Sequence, residues 1–254
     1  MDESLMNKVW YIETRPANPL DEENATVFGG GLCVDPSGLI LTVASVVTIP
    51  SLNQADCIIK ARPSSDTSLD SRIVTLIDKF PQFDLALLQV SIFPDEHLDF
   101  LSLGDSATVD AADTVYAFVH SNGFLYSGVS GYSNYPFPRD ALYPGILERT
   151  VIEPPVPVAL GRQRQSFNST HHFRTVASIL GNNDVQFRHM HPRLPLVQVT
   201  GFGRDPGCAG CPLFRLRDGH LIGLFSLRKH DFHFIIPQTF LKRFVDHVRE
   251  KHDC

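Results

Sequence analysis

The sequence predicts an all-β protein, folded as a sandwich or a barrel. Its first half is a succession of short apolar and β-branched runs, such as residues 9–12 and 73–77, which are typical of strands. Clusters of Gly, Pro, Asp and Ser separate these runs and predict turns. No apolar pattern with a helical period interrupts this half. With 254 residues, of which 43% are hydrophobic, the chain can form one sizeable domain or two small ones, each with a core.

Each predicted strand is bounded by its own turn signal. A loop rich in Pro and acidic residues, 15–25, follows the first strand, and a turn at 35–38 divides the second strand from the third. Asp218 and Gly219 form a hairpin signal in front of a strand at 221–226. The strands predicted in the first half are 9–12, 27–34, 39–43, 57–61, 73–77 and 84–90.

The C-terminal end of the chain predicts an amphipathic helix. Apolar residues recur there with helical spacing and charged residues occupy the opposite face, so we expect the helix to dock one apolar face on the β structure. The apolar positions are Phe240, Leu241, Phe244, Val245 and Val248, and the charged ones are Lys242, Arg243, Asp246, Arg249 and Glu250.

Charge and cysteine content argue against several classes of protein. The net charge of −6 disfavours nucleic-acid binding, which needs clustered Lys and Arg. The five cysteines, an odd number at spacings that suggest no disulfide framework, favour a reducing compartment, the cytoplasm or the nucleus. Residues 1–8 do not form a signal peptide, and no apolar run reaches the length of a membrane span. We therefore expect an intracellular protein without membrane contact.

Residues 207–213 (Gly-Cys-Ala-Gly-Cys-Pro-Leu) form a tight turn that leads into an apolar strand. This segment closely resembles the Gly-Asn-Ser-Gly-Gly-Pro-Leu loop that carries the nucleophile of trypsin-like serine proteases, in particular those of the HtrA/Deg branch. Ala209 stands where these proteases have serine. Because a methyl group cannot attack a carbonyl, the resemblance itself predicts that the nucleophile is lost.

Further segments resemble the same family, in the family's order. Residues 29–42 are similar to the strands and turn that precede the catalytic histidine, and Ser45 falls at the position of that histidine. Residues 84–90 (Asp-Leu-Ala-Leu-Leu-Gln-Val) are similar to the segment with the catalytic aspartate, so Asp84 is the triad residue that remains. Strands of the family's second barrel resemble residues 101–106, 113–118, 125–133 and 232–237.

The resemblance implies one trypsin-like domain, built from two six-stranded antiparallel Greek-key barrels and a C-terminal helix. We expect the first barrel at about 9–95, the second at about 100–236 and the helix at 237–252. Residues 135–195 form an expanded, irregular insert at the place where the family has a few strands and a specificity loop. Many Deg proteins continue into a PDZ domain, but we expect none here because few residues follow the helix.

The substituted triad positions predict a protein without protease activity. A serine at position 45 does not accept a proton at neutral pH, so Asp84 has no base to orient. Loss of the catalytic groups within a retained frame favours a binding, scaffolding or regulatory module, whose partner is a protein or an extended peptide. The resemblance implies no cofactor and no metal. Since relatives often trimerise, a homo-oligomer stays open.

Two further groups of site residues follow from the resemblance. The oxyanion loop would consist of Gly207, Cys208 and Ala209. A peptide would bind along strand edges in the groove between the barrels. The residues predicted for that groove are Val199, Thr200, Gly201, Gly223, Leu224 and Phe225.

Other interpretations of these residues remain open. An active peptidase could use Cys208 as its nucleophile with a histidine from 135–195, although this cysteine precedes the nucleophile position by one residue. Asp84 could instead cap a turn. His189 and His191 could bind zinc together with residues 171–172 and the cysteine pair, but the spacing fits no zinc module and we interpret them as loop histidines. Finally, the insert rather than the groove could carry the function.

Overall fold

The computed structural model describes residues 3–18, 26–66, 70–104, 113–120, 127–135, 174–180, 184, 187, 189–202 and 206–252. The strands, in chain order, are β1 (Val9–Pro16), β2 (Val27–Asp35), β3 (Leu39–Thr42), β4 (Cys57–Pro63), β5 (Arg72–Phe80), β6 (Leu85–Val90), β7 (Thr114–Val119), β8 (Ser127–Tyr135), β9 (Arg174–Thr175), β10 (Pro195–Thr200), β11 (Pro212–Arg215), β12 (Leu221–Lys229) and β13 (Phe232–Pro237). The α-helices are α1 (Val176–Ile179) and α2 (Gln238–His252). Turns of 3₁₀-helix lie at Glu3–Lys8, Ala44–Val47, Gln54–Asp56, Pro81–Phe83 and Pro206–Cys208.

The first six strands close into an antiparallel barrel with the order β1-β2-β3-β6-β5-β4. Strand β1 completes the ring, because Trp10 pairs with Gly31 of β2 on one side and with Pro63 of β4 on the other. A closed ring has no open sheet edge. Apolar side chains from all around the ring, such as Ile12 and Leu88, are buried in its core.

Strands β7 to β13 form the second sheet, in the order β13-β12-β11-β7-β8-β10-β9. Strand β13 also pairs with β10, through Val197 and Ile235, so that all strands of the sheet except β9 close into a second ring. The interior of this ring is an apolar cluster that includes Val115, Val199 and Phe225. Together with helix α2, the two rings confirm the predicted all-β fold of two antiparallel barrels with a C-terminal helix.

Helix α2 packs its apolar face on the barrels, as its pattern predicts. All of the predicted apolar positions are buried, and the ring of Phe244 meets that of Phe80 in β5 edge-on at 5.5 Å. The helix also packs against β12 and β13. Its C-terminal end is bound to the first barrel, because Arg249 pairs with Asp35 and Lys251 with Asp78. Helix α2 therefore connects the two barrels.

Local structure departs from the sequence prediction around residues 43 and 84. Strand β3 ends at Thr42 and a 3₁₀ turn follows it. Asp84, predicted to begin a strand, has a φ of 51°, in the left-handed region, and β6 begins only at Leu85. The two turns are joined by a hydrogen bond from Ala44 N to Asp84 O, at 3.1 Å. Such a contact joins segments that are distant in sequence, so no periodic pattern of apolar residues could predict it.

Most of the predicted insert at 135–195 lies outside the described residues. The part that is described contains β9 and the single turn of α1, which no sequence pattern predicted. Among the helices described, none combines the length and the apolar character needed to cross a membrane.

Replacing Phe244 by alanine should lower the free energy of unfolding by about 3–5 kcal/mol, because it removes a buried ring and leaves a cavity between helix α2 and β5. Urea unfolding measures the change. Glu250→Ala, on the exposed side of the same helix, should stay within about 0.5 kcal/mol of the wild type. Equal effects of the two substitutions would show that the helix does not pack on the barrels.

Candidate functional site

Asp84 is the buried polar centre of the junction between the barrels, where it is 1% exposed. The backbone N–H of Ser45 donates to its Oδ1 at 2.8 Å, and the hydroxyl of Ser45 donates to its Oδ2 at 3.3 Å. The hydroxyl of Ser226, in β12, donates to the same Oδ2 at 2.6 Å. The carboxylate thus accepts hydrogen bonds from the first and from the second barrel.

Burial raises the pKa of the Asp84 carboxyl above its usual value. Hydrogen bonds from Ser226 and Ser45 and the charge of His189 act in the opposite direction, because each favours the ionised form. His189 is an exposed residue in the segment that leads to β10. We predicted a loop histidine at this position, but not its effect on Asp84, because the two residues are distant in sequence.

Ala209 lies in a tight turn that backbone hydrogen bonds fix. Its carbonyl accepts from Gly30 N at 2.8 Å, and Gly210 N donates to the carbonyl of Phe225 at 2.8 Å. Gly210 has a φ of 75°, a conformation that glycine adopts without strain. A side chain at Gly210 would also collide with the carbonyl of Gly30. Backbone hydrogen bonds and Gly210 thus fix the turn, and the Ala209 side chain packs against the main apolar core.

Gly29 is the point at which the Ser45 and Ala209 segments meet. A Cβ atom at Gly29 would lie 2.5 Å from the carbonyl oxygen of Ala209 and would overlap the side chain of Val46. The 3₁₀ turn that contains Ser45 and the turn that contains Ala209 therefore pack against the same glycine of β2.

A second connection joins Asp84 to the Ala209 turn. Phe225 accepts from Gly210, and the next residue, Ser226, donates to Asp84. The structure therefore brings Ser45, Asp84 and the Ala209 turn to one junction between the barrels. Ser45 contacts Asp84 directly. Ala209 is connected to Asp84 indirectly, because the next residue in its turn, Gly210, bonds to Phe225, and Phe225 is followed by Ser226.

The predicted oxyanion loop, Gly207, Cys208 and Ala209, packs against His120. Its first two residues form a 3₁₀ turn with the preceding proline. The carbonyl of Gly207 accepts from His120 N and from the thiol of Cys211, each at 3.4 Å. A side chain at Gly207 would collide with the carbonyl of His120. Cys208 is buried, which places its thiol in the core of the second barrel.

A buried polar chain of Ser64, His120 and Cys211 lies behind this loop. Ser64 Oγ is 2.8 Å from His120 Nε2, and Cys211 Sγ is 3.8 Å from His120 Nδ1. Ser64 follows the last strand residue of β4, whereas His120 and Cys211 belong to the second barrel. The chain is therefore another polar link between the barrels. This link was not predicted, because no motif or spacing in the sequence connects these three residues.

Burial favours the neutral forms of both His120 and Cys211. It lowers the pKa of His120 to about 4, and the charge of Arg62 acts in the same direction. It raises the pKa of the Cys211 thiol well above its usual value. Cysteine nucleophiles need a lowered thiol pKa, so this pair does not have the properties of a thiolate–imidazolium pair.

The strand edges predicted to bind a peptide lie inside the sheet. Gly223 and Leu224 pair with β11 on one side and with β13 on the other. Val199 pairs with β13 and with β8, and Phe225 pairs with β13 while its backbone also bonds to Gly210 and Cys211. Because the backbone groups of interior strands are used by their neighbours, the prediction of open edges at these four positions is wrong. Apolar runs do not reveal which strands will lie beside them.

The two remaining predicted groove residues lie at the end of β10. Thr200 pairs with Tyr132 of β8, beyond the ladder to β13. Gly201 follows the strand, is exposed and has a φ of 98°. These two residues are therefore placed at the end of the sheet and not in its interior.

Among the described residues, strand β12 runs on beyond its pairing with β11, and this continuation is an edge of the sheet. Its ladder with β11 ends at Leu224, opposite Pro212, whereas its ladder with β13 continues to Lys229. This edge begins at Ser226, the residue that binds Asp84. A strand added there would pass the junction between the barrels.

An exposed aromatic side chain lies near the same junction. Phe28 is 40% exposed and directly precedes Gly29, the contact point of the Ser45 and Ala209 segments. One side of its ring stacks on Tyr11, with 6.1 Å between ring centroids. The remaining part of the Phe28 ring is exposed at this junction.

Within the described residues, no group of three or more His, Cys, Asp or Glu side chains is arranged to hold a metal ion. His189 is exposed, whereas the ring of His191 stacks on Phe83 at 6.3 Å and its backbone N–H donates to Gln82 O at 2.7 Å. The predicted ligands at 171–172 lie outside the described residues. His191 therefore has a structural contact that does not depend on a metal.

A family model described as a trypsin-like peptidase domain matches residues 29–224. The chain belongs to this family. The matched part of the trypsin-like domain includes Ser45, Asp84 and Ala209, and it extends from β2 of the first barrel to β12 of the second. A comparison with curated proteins finds no match.

Removal of the Ser226 hydroxyl should destabilise the trypsin-like domain by about 1.5–3 kcal/mol at neutral pH, because it leaves a buried carboxylate with one hydrogen bond fewer. Ser45→Ala should cost less, since its hydroxyl is more distant and its backbone N–H still donates. The Ser226 hydroxyl favours the ionised carboxylate, so its contribution should shrink as the pH falls through the pKa of folded Asp84. Urea unfolding at several pH values measures both variants. An equal cost for both would contradict the described geometry.

His120 should make the domain acid-sensitive. Its pKa is about 4 when folded and 6.5 by the usual value, so between these limits the unfolded chain binds a proton that the folded chain does not. Stability from this group is therefore complete above pH 6.5 and is lost as the pH falls to about 4, by up to about 3 kcal/mol. His120→Asn should remove this part of the pH dependence of unfolding. The exposed His97, replaced in the same way, should leave it intact; identical profiles for both variants would refute the assignment.

Proposed function

We propose that this trypsin-like domain is a non-catalytic module that binds extended segments of partner proteins. The observation that carries the proposal is the occupation of Asp84. Its carboxylate accepts three hydrogen bonds from Ser45 and Ser226, at the place where a triad needs an imidazole. Ala209 adds no nucleophilic atom on the other side of the cleft.

The available groups do not support acyl transfer. The reaction needs a nucleophile, a base that takes its proton and an acid that orients the base. Ala209 cannot act as the nucleophile, and Ser45 cannot act as the base. Serine proteases that lose these groups keep about 10³ to 10⁴-fold acceleration over water, which comes from binding and the oxyanion hole. That is too little for a useful protease.

Cysteine chemistry does not replace the missing groups. Cys208 and Cys211 are both buried, away from the cleft surface that a substrate reaches. The histidine beside Cys211 is His120, which lies outside the region 135–195 that the sequence suggested as a source of a base. We therefore do not adopt Cys208 as a nucleophile.

The frame around the lost groups supports peptide binding. An extended segment that adds to a sheet edge gains main-chain hydrogen bonds, which is a common mode of peptide recognition. Within the part of the chain that the structure describes, the pairing of β12 with β11 ends before its pairing with β13, so we place the peptide beside the continuation of β12 that begins at Ser226. Phe28 provides an exposed aromatic surface near the same junction.

The finer assignment rests on the sequence and on the thiols. Residues 84–90 and 207–213 support a place in the HtrA/Deg branch, as a degenerate member. The described cysteines, 33, 57, 208 and 211, form no disulfide bond, which supports a reducing, intracellular setting. In such a setting the module would sequester or scaffold the clients or partners of an active relative.

Fluorescein-labelled β-casein, which is unfolded, tests both parts of the proposal. We expect the wild-type protein to leave casein uncut, to bind it saturably in a fluorescence-anisotropy titration, and not to react with a fluorophosphonate probe. Phe28→Ala should weaken binding at least about fivefold, as loss of an interface aromatic does. Phe93→Ala is the matched control, because Phe93 is also exposed but stacks on Arg72 in the first barrel.

The possible outcomes separate the two parts. Fluorophosphonate labelling, or casein cleavage that Cys208→Ser abolishes, would show catalysis and end the non-catalytic proposal. No binding of casein, or equal weakening by both phenylalanine variants, would contradict the binding site.

A further inference from the structure

Arg62 is a buried residue on the outside of the first barrel. It lies in β4, opposite Tyr11 of β1. The next pair along these strands, Ile12 and Ala61, belongs to the apolar core. Because successive side chains of a strand point to opposite faces, Arg62 and Tyr11 point away from that core. Arg62 is nevertheless only 5% exposed, so its guanidinium is largely removed from water.

The charge of Arg62 has no partner within the part of the chain that the structure describes. Its Nε atom is fully enclosed and makes no hydrogen bond there, and no Asp or Glu side chain of the described residues forms an ion pair with the guanidinium. By contrast, Arg72 of the same barrel pairs with Glu96 at 2.6 Å. A cation that is taken out of water is strongly unfavourable unless it is paired. An anionic ligand at Arg62 would therefore gain a strong interaction.

The rings around Arg62 do not neutralise its charge. Its Cζ atom lies 4.9 Å from the centroid of the Tyr11 ring, in a cation–π contact. The same ring meets that of His120 edge-on, at 5.1 Å. Burial lowers the pKa of His120 to about 4 and raises the pKa of Tyr11 to about 12, so both rings are uncharged at neutral pH. Tyr11 thus positions the guanidinium and leaves its charge unpaired.

Arg62 lies close to the candidate site between the barrels. The Tyr11 ring that it contacts also stacks on the exposed Phe28, at 6.1 Å between ring centroids. On its other side Tyr11 meets His120, whose backbone N–H donates to Gly207 of the oxyanion loop. A ligand that covers Phe28 would therefore lie near Arg62 as well.

The guanidinium edge that remains available fits a carboxylate. Because Nε is enclosed, the two Nη groups form the edge that a ligand can reach. This planar fork matches the two oxygens of a carboxylate. After burial, the negative charge of Glu13 is the next cause of the raised pKa of Tyr11, so an anion here already meets some repulsion. A phosphate group, with a charge of about −1.5 to −2, would be repelled more strongly than a carboxylate.

We propose that Arg62 is a binding site for a single carboxylate group, which the Nη edge holds while Tyr11 positions the guanidinium. The carboxylate belongs either to an aspartate or glutamate side chain of a bound segment or to a small carboxylic acid. Carboxylate binding at Arg62 requires neither an added strand nor the proposed peptide binding.

Thermal unfolding in sodium acetate, acetamide and sodium chloride tests the site on the protein alone. Acetate carries the carboxylate, acetamide is its neutral analogue of similar shape, and chloride controls for ionic strength. We expect a saturable rise of the unfolding midpoint with acetate only, because a ligand of the folded state stabilises that state. Arg62→Gln should abolish this rise. Arg62→Met, with an apolar side chain of similar length, gives the same comparison if Arg62→Gln does not fold.

Paired libraries of short fluorescein-labelled peptides distinguish the two sources of the carboxylate. One position at a time is fixed as glutamate or as glutamine, and binding is followed by anisotropy. If a bound segment supplies the carboxylate, the wild-type protein should prefer glutamate at one position by at least about tenfold, which is the effect of a hydrogen bond between charged groups. Arg62→Gln should reduce this preference to about twofold or less.

Arg72→Gln is the matched control in both experiments. Arg72 is also an arginine of the first barrel, but it is paired with Glu96 and its side chain is 32% exposed. This variant should retain the stabilisation by acetate and the preference for glutamate. Equal losses in Arg72→Gln and Arg62→Gln would show a general effect of removing a positive charge and would contradict a site at Arg62.

The outcomes separate the carboxylate site from the proposed function. Stabilisation by acetate that is lost in Arg62→Gln supports the site, even if casein is not bound, and the glutamate preference then decides the source. Inorganic phosphate that stabilises more than acetate, and only when Arg62 is present, would overturn the assignment to a carboxylate. No effect of acetate together with no preference for glutamate would overturn the site itself, and binding of casein in that case would leave the proposed function intact.

Discussion

The carboxylate of Asp84 holds the junction on which the arrangement of the barrels depends. A buried carboxylate is strongly unfavourable unless its oxygens are hydrogen-bonded. Ser45 meets this requirement from the first barrel, and Ser226 meets it from the second. Both barrels must be in place before the charge is satisfied. In this chain the residue that would orient a catalytic base therefore has a structural task.

Two other features support the same junction. The contact of Ser64 with His120 crosses between the barrels behind the oxyanion loop. Helix α2 packs on β12 and β13 and is bound by ion pairs to Asp35 and Asp78 of the first barrel. Because a hydrogen bond to a neutral histidine, a hydrogen-bonded carboxylate and an apolar helix face respond differently to pH and salt, the orientation of the barrels does not rest on one kind of force.

Much of the fold could be predicted from the sequence, because strands and helix α2 leave local apolar patterns and the glycine-rich segments resemble a known family. The same segments placed Ser45 and Asp84, which the structure joins by hydrogen bonds. What could not be predicted depends on tertiary neighbours. The burial of His120, the left-handed backbone of Asp84 and the interior position of Leu224 are set by segments far away in sequence.

The glycines around the Ala209 turn have a packing role of their own. Gly29 and Gly30 face the turn so closely that a side chain at either position would strike Ala209, Val46 or Cys211, and Gly210 has a left-handed backbone. These glycines are therefore required by the packing of the turn, independently of any catalytic role. Glycine-rich motifs of this kind thus reflect the close packing of two chain segments, and they say little about catalytic turnover.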